Sequence, residues 1–247
     1  GRISNTAWGL GYLGGIIVLI FVVLFLAAAP DKGVTILGIP PLFGLDAASG
    51  EDARITGPIA ALWYFIFILP MFLYTPDVTK GLPLAQSVRS GLSELKTTLH
   101  ELKGRPVLTR FLIARMLYQD GVNGVLILGG AFAAGLFGWG TMEIGIYGII
   151  LNIVAIGSCV AAGLVDQRLG SRNTVLLSLA LLIIATIGIF STQADSTLFG
   201  LLALPVSDAT GLFSSGAEKA YLVYGILIGI AFGPVQASSR SYLARNI

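Results

Sequence analysis

Charge is what this chain has least of. Only 11% of its 247 residues are Asp, Glu, Lys or Arg, against about a quarter in an ordinary globular domain. So few charges cannot wet the surface of a soluble domain, which excludes that class. Cysteine and histidine are almost missing too, with one of each, Cys159 and His100. A disulfide framework is thereby excluded, and a Cys/His metal site has no ligand set. No P-loop pattern occurs, so direct ATP drive has no support. What fills the chain instead is apolar, 55% of residues with a mean hydropathy of +0.86. The class that fits is an all-α, polytopic transmembrane helix bundle.

A helix needs about 20 apolar residues to cross the hydrocarbon core. Six stretches qualify: Ala7–Ala29, Ile55–Tyr74, Phe111–Phe137, Thr141–Leu164, Thr174–Phe190 and Ala217–Ala237. Two further apolar stretches, Val34–Leu45 with its Pro40-Pro41 break and the short Leu198–Val206, are expected to cap the outer mouth or dip into the interface. The chain opens Gly1-Arg2-Ile3-Ser4 without an initiator Met and stops just past its last apolar stretch. It reads as a piece of a longer protein.

Basic residues settle the orientation, because Lys and Arg are retained on the cytoplasmic side. With the segment after the second span inside, twelve basic residues lie within: Arg2, Lys80, Arg89, Lys96, Lys103, Arg105, Arg110, Arg115, Arg168, Arg172, Arg240 and Arg245. Only three, Lys32, Arg54 and Lys219, lie outside.

The long inner segment holds an amphipathic helix. Leu84, Val88, Leu92, Leu95, Leu99 and Leu102 recur at helical spacing on one face, and Gly104 and Pro106 supply a stop. Such a helix lies at the membrane surface or under the bundle. It serves as a spacer between two halves, or as a surface for a regulator or partner.

Polar residues inside the spans are the candidates for chemistry. Asp120 sits near the middle of the third span, in Tyr118-Gln-Asp120-Gly-Val-Asn123-Gly. An acid at this depth is costly unless it meets a polar cavity or partner. Asn123, three residues on, shares its face. Asp120, Asn123 and Tyr118 are thus expected along a solute or proton pathway, the alternative being a structural hydrogen bond between helices. Arg115 is placed to anchor the inner surface by snorkelling. Asn152, central in the fourth span, is either a pathway contact or helix–helix glue. Gln236 and Arg240, in Gly233-Pro-Val-Gln236-Ala-Ser-Ser-Arg240, lie where Pro234 should kink or unwind the last span. An inner gate and a plain structural bend are both open there. Gly9, Gly11, Gly14 and Gly15 of the first span match the dinucleotide pattern G-x-G-x-x-G only formally. No strand precedes them, so they are read as helix-packing glycines.

Between the fourth and fifth spans runs Gly163-Leu-Val-Asp166-Gln-Arg168-Leu-Gly170-Ser-Arg172. An acid, two arginines and a glycine in so tight a turn suit a latch. Asp166 is placed to accept from amides at a helix N-terminus, Arg168 and Arg172 to hold a carboxylate, and Gly170 to allow the reversal. The plainer reading is a basic loop that fixes topology.

This turn resembles the signature loop of the major facilitator superfamily, G-x-x-x-D-[RK]-x-G-x-[RK]-[RK]. It differs in having Ala162 at the first glycine and one extra residue between Asp166 and Gly170. Trp8-Gly-Leu-Gly11-Tyr-Leu-Gly14-Gly15, Leu117-Tyr-Gln-Asp120-Gly-Val-Asn123 and the run from Gly233 to Arg245 resemble one branch of it. That branch is the "unknown major facilitator" group, related to autophagy-associated vacuolar amino-acid effluxers. The resemblance implies a partial major facilitator fold, spans five to ten of twelve. Residues 1–76 would close the N-terminal half, 77–110 form the cytoplasmic linker, and 111–247 open the C-terminal half. It further implies alternating access, secondary active or facilitative, for a small polar solute such as an amino acid. The partners implied are the bilayer, the solute, a coupling proton and the remaining spans of the parent chain. No cofactor, metal or nucleic acid is implied. The membrane would be the plasma membrane in a bacterium or the vacuolar membrane in a eukaryote. The competing reading is a transport-inactive scaffold or sensor on the same fold. An intramembrane serine hydrolase fails, because Ser214 and His100 fall on opposite sides.

Overall fold

Hydrocarbon offers a backbone no hydrogen-bond partner, so each crossing segment must satisfy its own amides, as a helix does. In the computed structural model the apolar stretches do this as α1 (Arg2–Phe25), α3 (Thr56–Tyr74), α5 (Pro106–Phe137), α6 (Thr141–Leu169), α7 (Ser171–Phe190) and α8 (Gly216–Asn246). Short α2 (Glu51–Arg54) leads into α3, and α4 (Leu84–Lys103) is the inner linker helix. The structure describes residues 2–29, 33–76, 83–205 and 211–246, with side-chain surroundings for all of these except 2–9, 84, 245 and 246. The expected charges Asp31, Lys32, Lys80 and Asp208, and the surroundings of Arg2, Trp8, Gly9, Leu84 and Arg245, lie outside the described residues.

Among the described residues, five helices are long and apolar enough to cross a membrane, with α2 and α3 counted together from Glu51 to Tyr74. The expected first span falls on α1, whose described apolar part is the shorter Leu10–Phe25. α1 also ends earlier than Ala29, because Ala28 leaves the helix to bridge Thr35. Most other spans are longer than hydropathy alone suggests. α5 begins at Pro106 rather than Phe111, since proline is well placed at the first helical position. α8 runs through Pro234 to Asn246, so the unwinding expected there is not present.

α8 is the central post. Tyr221, Ile228, Ala231, Val235, Ala237 and Ser239 are all buried along it. What lets α6 come so close is a glycine ladder, Gly225, Gly229 and Gly233, four residues apart on one face of α8. A Cβ on Gly225 would meet the Tyr147 ring at 2.5 Å. One on Gly229 would lie 3.0 Å from the Leu151 carbonyl. One on Gly233 would lie 2.6 Å from Cys159 Sγ and 2.9 Å from the Ala155 carbonyl. Small residues at this spacing allow helix backbones to approach where lipid gives no hydrophobic push. Ser158 Oγ uses the approach to donate across to Gly229 O at 3.1 Å. On the other side of α8, Tyr224 occupies the space beside Gly188 of α7.

α1 packs on α6 through Val23, Ala27 and Met142, with Val23 filling the space over Gly145. α3 contributes no buried residue and presents an apolar surface on every side. At the outer end, β1 (Ser196–Thr197) pairs antiparallel with β2 (Leu202–Ala203), so Leu198 to Leu201 form a hairpin tip with Phe199 and Leu201 exposed. Thr197 shares hydrogen bonds with Thr192 at 3.1 Å and with Tyr224 at 3.2 Å, which seats the hairpin on α7 and α8.

Gly233→Ala should destabilise the bundle by about 1–3 kcal/mol, because the Ala155 carbonyl cannot retreat from the new methyl. Gly135→Ala, where nothing lies within 4 Å, should change stability by less than about 0.5 kcal/mol. Reversible unfolding in detergent micelles measures both; equal effects would contradict the ladder.

Candidate functional site

The site expected from sequence lies along α5. This helix is 32 residues long, roughly 48 Å at 1.5 Å per residue, and Asp120 falls near its middle. One side of α5 packs inward through Val122 and Ala133, which are buried. Asp120 and Asn123 lie on the other side, both exposed. Their neighbours on that face are apolar and bare: Ile113 is 56%, Met116 70% and Ile127 75% exposed. An acid and two amides therefore interrupt a clean apolar surface at mid-depth. The amides are linked to each other, Gln119 Nε2 donating to Asn123 Oδ1 at 3.2 Å.

Tyr118 turns the other way. Its hydroxyl shares a 2.6 Å hydrogen bond with Ser239 Oγ of α8, and Ser239 also donates to Val235 O one turn back. Nearer the inner end, the Phe111 and Tyr242 rings meet with centroids 4.7 Å apart. Between the inner ends of α5 and α8 lies a cavity of about 430 Å³, lined by Arg105, Phe111 and Tyr242 among others. At the inner side the α5–α8 seam thus carries the Tyr118–Ser239 hydrogen bond and the Phe111–Tyr242 ring contact. Gln236 is buried three residues before Ser239, while Arg240 is exposed.

At the outer end α8 is tied to α5 and to the α5–α6 connection. Trp139 Nε1 donates to Glu218 Oε1 at 2.7 Å, and Glu218 Oε2 accepts from the Ser215 amide at 2.9 Å. Tyr221 donates to the Gly129 carbonyl at 2.7 Å. Around them Trp139 packs against Phe137, Tyr147, Phe213 and Tyr221, with centroids 4.9 to 5.6 Å apart. Sequence reasoning did not single out this aromatic cluster or the α8 ladder. Gly225-Ile-Leu-Ile-Gly229-Ile-Ala-Phe-Gly233 carried the signal for the second. For the first, no local pattern links Trp139 to Glu218, 79 residues on.

The remaining candidates separate. Asn152 spends its amide on Gly148 O of its own helix at 2.8 Å. Gly11, Gly14 and Gly15 face open space, with nothing within 4 Å of an added Cβ. Close packing by glycine falls on α6, α7 and α8 instead.

The basic turn is not a loop. α6 continues to Leu169 and α7 starts at Ser171, so the reversal is confined to Gly170, at φ 80° and ψ 152°. A single residue suffices because glycine has no Cβ to clash at positive φ. Asp166 therefore sits in the last turn of α6, half-buried, where its carbonyl accepts from the Gly170 amide at 3.1 Å. Arg168 and Arg172 flank the break and are exposed.

The sequence profile of vacuole effluxer Atg22-like proteins matches residues 1–247. The chain belongs to that family. Over 246 residues it is also 22% identical to an uncharacterised MFS-type transporter, YxiO, of Bacillus subtilis (strain 168), covering 99% of this chain and 49% of that protein. It thus spans about half the length of the curated relative it matches. No solved structure matches it. With its long apolar helices, this Atg22-like chain is an integral membrane protein related to the major facilitator transporters.

Gly170→Ala puts a side chain where φ is positive and should cost about 1–3 kcal/mol. Arg172→Ala, on an exposed side chain, should leave stability nearly unchanged. Thermal unfolding of both variants in detergent checks this; a neutral Gly170→Ala would mean that the α6–α7 reversal does not depend on glycine.

Proposed function

We propose that this chain is part of a secondary active or facilitative transporter that moves a small polar solute, amino acids included, by alternating access. The observation that carries the reading is Asp120, exposed at mid-depth on an otherwise apolar face of α5. A carboxylate at the centre of a span costs roughly 3 kcal/mol on insertion scales when it faces lipid. That cost disappears if the face lines a polar, water-filled path. Asn123 and Gln119 beside it supply a donor and acceptor pair suited to a zwitterionic or amide-bearing solute. On this reading residues 1–76 and 111–247 belong to two halves that rock about the path, joined by the inner linker. α1 lying against α6 is the contact between them.

Asp120 has two roles open to it, to hold the solute's cationic group or to carry a coupling proton. Tyr118 and Ser239 close the inner end of the α5–α8 seam. Asp166, Arg168, Gly170 and Arg172 act as a latch at the inner surface, with Gly170 as the fixed bend and the two exposed arginines free to find a carboxylate in one state of the cycle. The membrane is the plasma membrane if the protein is bacterial and the vacuolar membrane if it is eukaryotic.

The test is solute flux in proteoliposomes made with the full-length gene product, with and without a pH gradient. Asp120→Asn should abolish gradient-driven flux, or reduce it at least tenfold, while protein yield and melting stay unchanged. Equal flux by both proteins would remove Asp120 from the pathway. If neither moves any solute of a broad polar panel, the transport-inactive scaffold is the better reading.

A further inference from the structure

The linker helix α4 has an apolar stripe that nothing in the described chain covers. Val88, Leu92, Leu95 and Leu99 are 55%, 63%, 56% and 57% exposed. The one described helix it touches substantially is α5. That contact is at its end: Thr109 Oγ1 donates to Leu102 O at 2.7 Å and to Arg105 O at 3.1 Å, across the two-residue joint Gly104-Arg105. The C-terminal end of α4 is therefore held at the inner mouth of a membrane-spanning helix, level with the headgroups.

Its charges are sorted around that stripe. Arg89, Lys96 and Lys103 recur every seven residues, and at about 100° per residue they form a row within roughly 60° of Leu92, beside the stripe. His100 extends the row. Glu94 and Glu101 fall roughly 180° from Leu92, on the far side. A helix that only had to stay soluble would have no reason to gather its cations beside the apolar face and its acids opposite. A helix lying in an interface does: the stripe enters the acyl region, the cations reach phosphates, and the acids stay in water. Arg105 and Arg110 add positive charge at the joint.

We propose that α4 is an interfacial helix that binds the anionic headgroups of the inner leaflet, through Arg89, Lys96 and Lys103, with Val88, Leu92, Leu95 and Leu99 inserted beneath them. The occupant of the stripe is lipid, not a protein partner. Charge complementarity with the leaflet that the basic residues select, and continuity with the membrane-spanning surface of α5, favour lipid over protein.

Cys159, the one cysteine of these 247 residues, is buried at 3% exposure, which keeps the test direct. In a Cys159→Ala chain, single cysteines at Leu92→Cys and Glu94→Cys carry a polarity-sensitive fluorophore. Each is reconstituted in nanodiscs of phosphatidylcholine alone, or of phosphatidylcholine with phosphatidylglycerol. The expected result is quenching of the label at 92 by lipid-borne nitroxide and of the label at 94 by aqueous iodide. The lipid-inserted fraction at 92 should rise with phosphatidylglycerol. Arg89→Gln, Lys96→Gln and Lys103→Gln together should remove that rise, each cation accounting for about fivefold in the inserted-to-lifted ratio. Three results overturn the proposal. Label at 92 shielded from both quenchers means protein covers the stripe. Iodide quenching at both positions means the helix stands free in water. Insertion that is the same in both lipids, or unaffected by the triple substitution, means that anionic headgroups are not recognised.

Discussion

Hydrocarbon cannot solvate a polar group, and every feature of this chain answers to that constraint. It makes the apolar stretches helical, because only a helix pairs its own amides within one segment. It drives the charges to the ends and leaves mid-depth nearly free of them. It also removes the usual reason for helices to associate, since a lipid tail is as apolar as a leucine. Association must then come from close packing, and α8 supplies it with the ladder of Gly225, Gly229 and Gly233. The side chains of Tyr147, Val154 and Cys159 on α6 fill the notches, and Tyr224 of α8 fills the matching notch at Gly188.

Within that frame the two ends of the α5–α8 seam are built differently. Outside, a charged hydrogen bond from Trp139 to Glu218, a second bond from Tyr221 to Gly129, and a ring cluster hold the helices. Inside, the Tyr118–Ser239 hydroxyl pair and the Phe111–Tyr242 ring contact join them. Asp120 and Asn123 lie between the two, facing away from the packed side. An apolar shell that is expensive to breach and a polar spot at mid-depth are the features on which the proposed path is built.

Much of this was legible in the sequence. Sparse charge marked the class, and the leucine spacing from Leu84 to Leu102 placed α4 within a residue of its observed end. The misses have physical causes. Hydropathy marks where a chain is greasy, not where its helix stops, so α6 was ended at Leu164 though its amides pair on to Leu169. Of the kink or unwinding expected at Pro234, unwinding does not occur, because the turn around it is buried and tightly packed. The Tyr118–Ser239 bond joins residues 121 apart in sequence, and no local pattern announces such a pair.

The central claim is that the bare face of α5 meets water rather than lipid. Asn123→Cys in a Cys159→Ala chain, made as the full-length protein in its native membrane, tests it through reaction with a membrane-impermeant, charged thiol reagent. The account predicts that this cysteine is modified, and that a control at exposed Ile153, on the apolar surface of α6, reacts only with an uncharged, lipid-soluble reagent. If position 123 ignores the charged reagent from both sides and behaves like position 153, the face lies in lipid or protein. Asp120 would then be a structural acid, not part of a path.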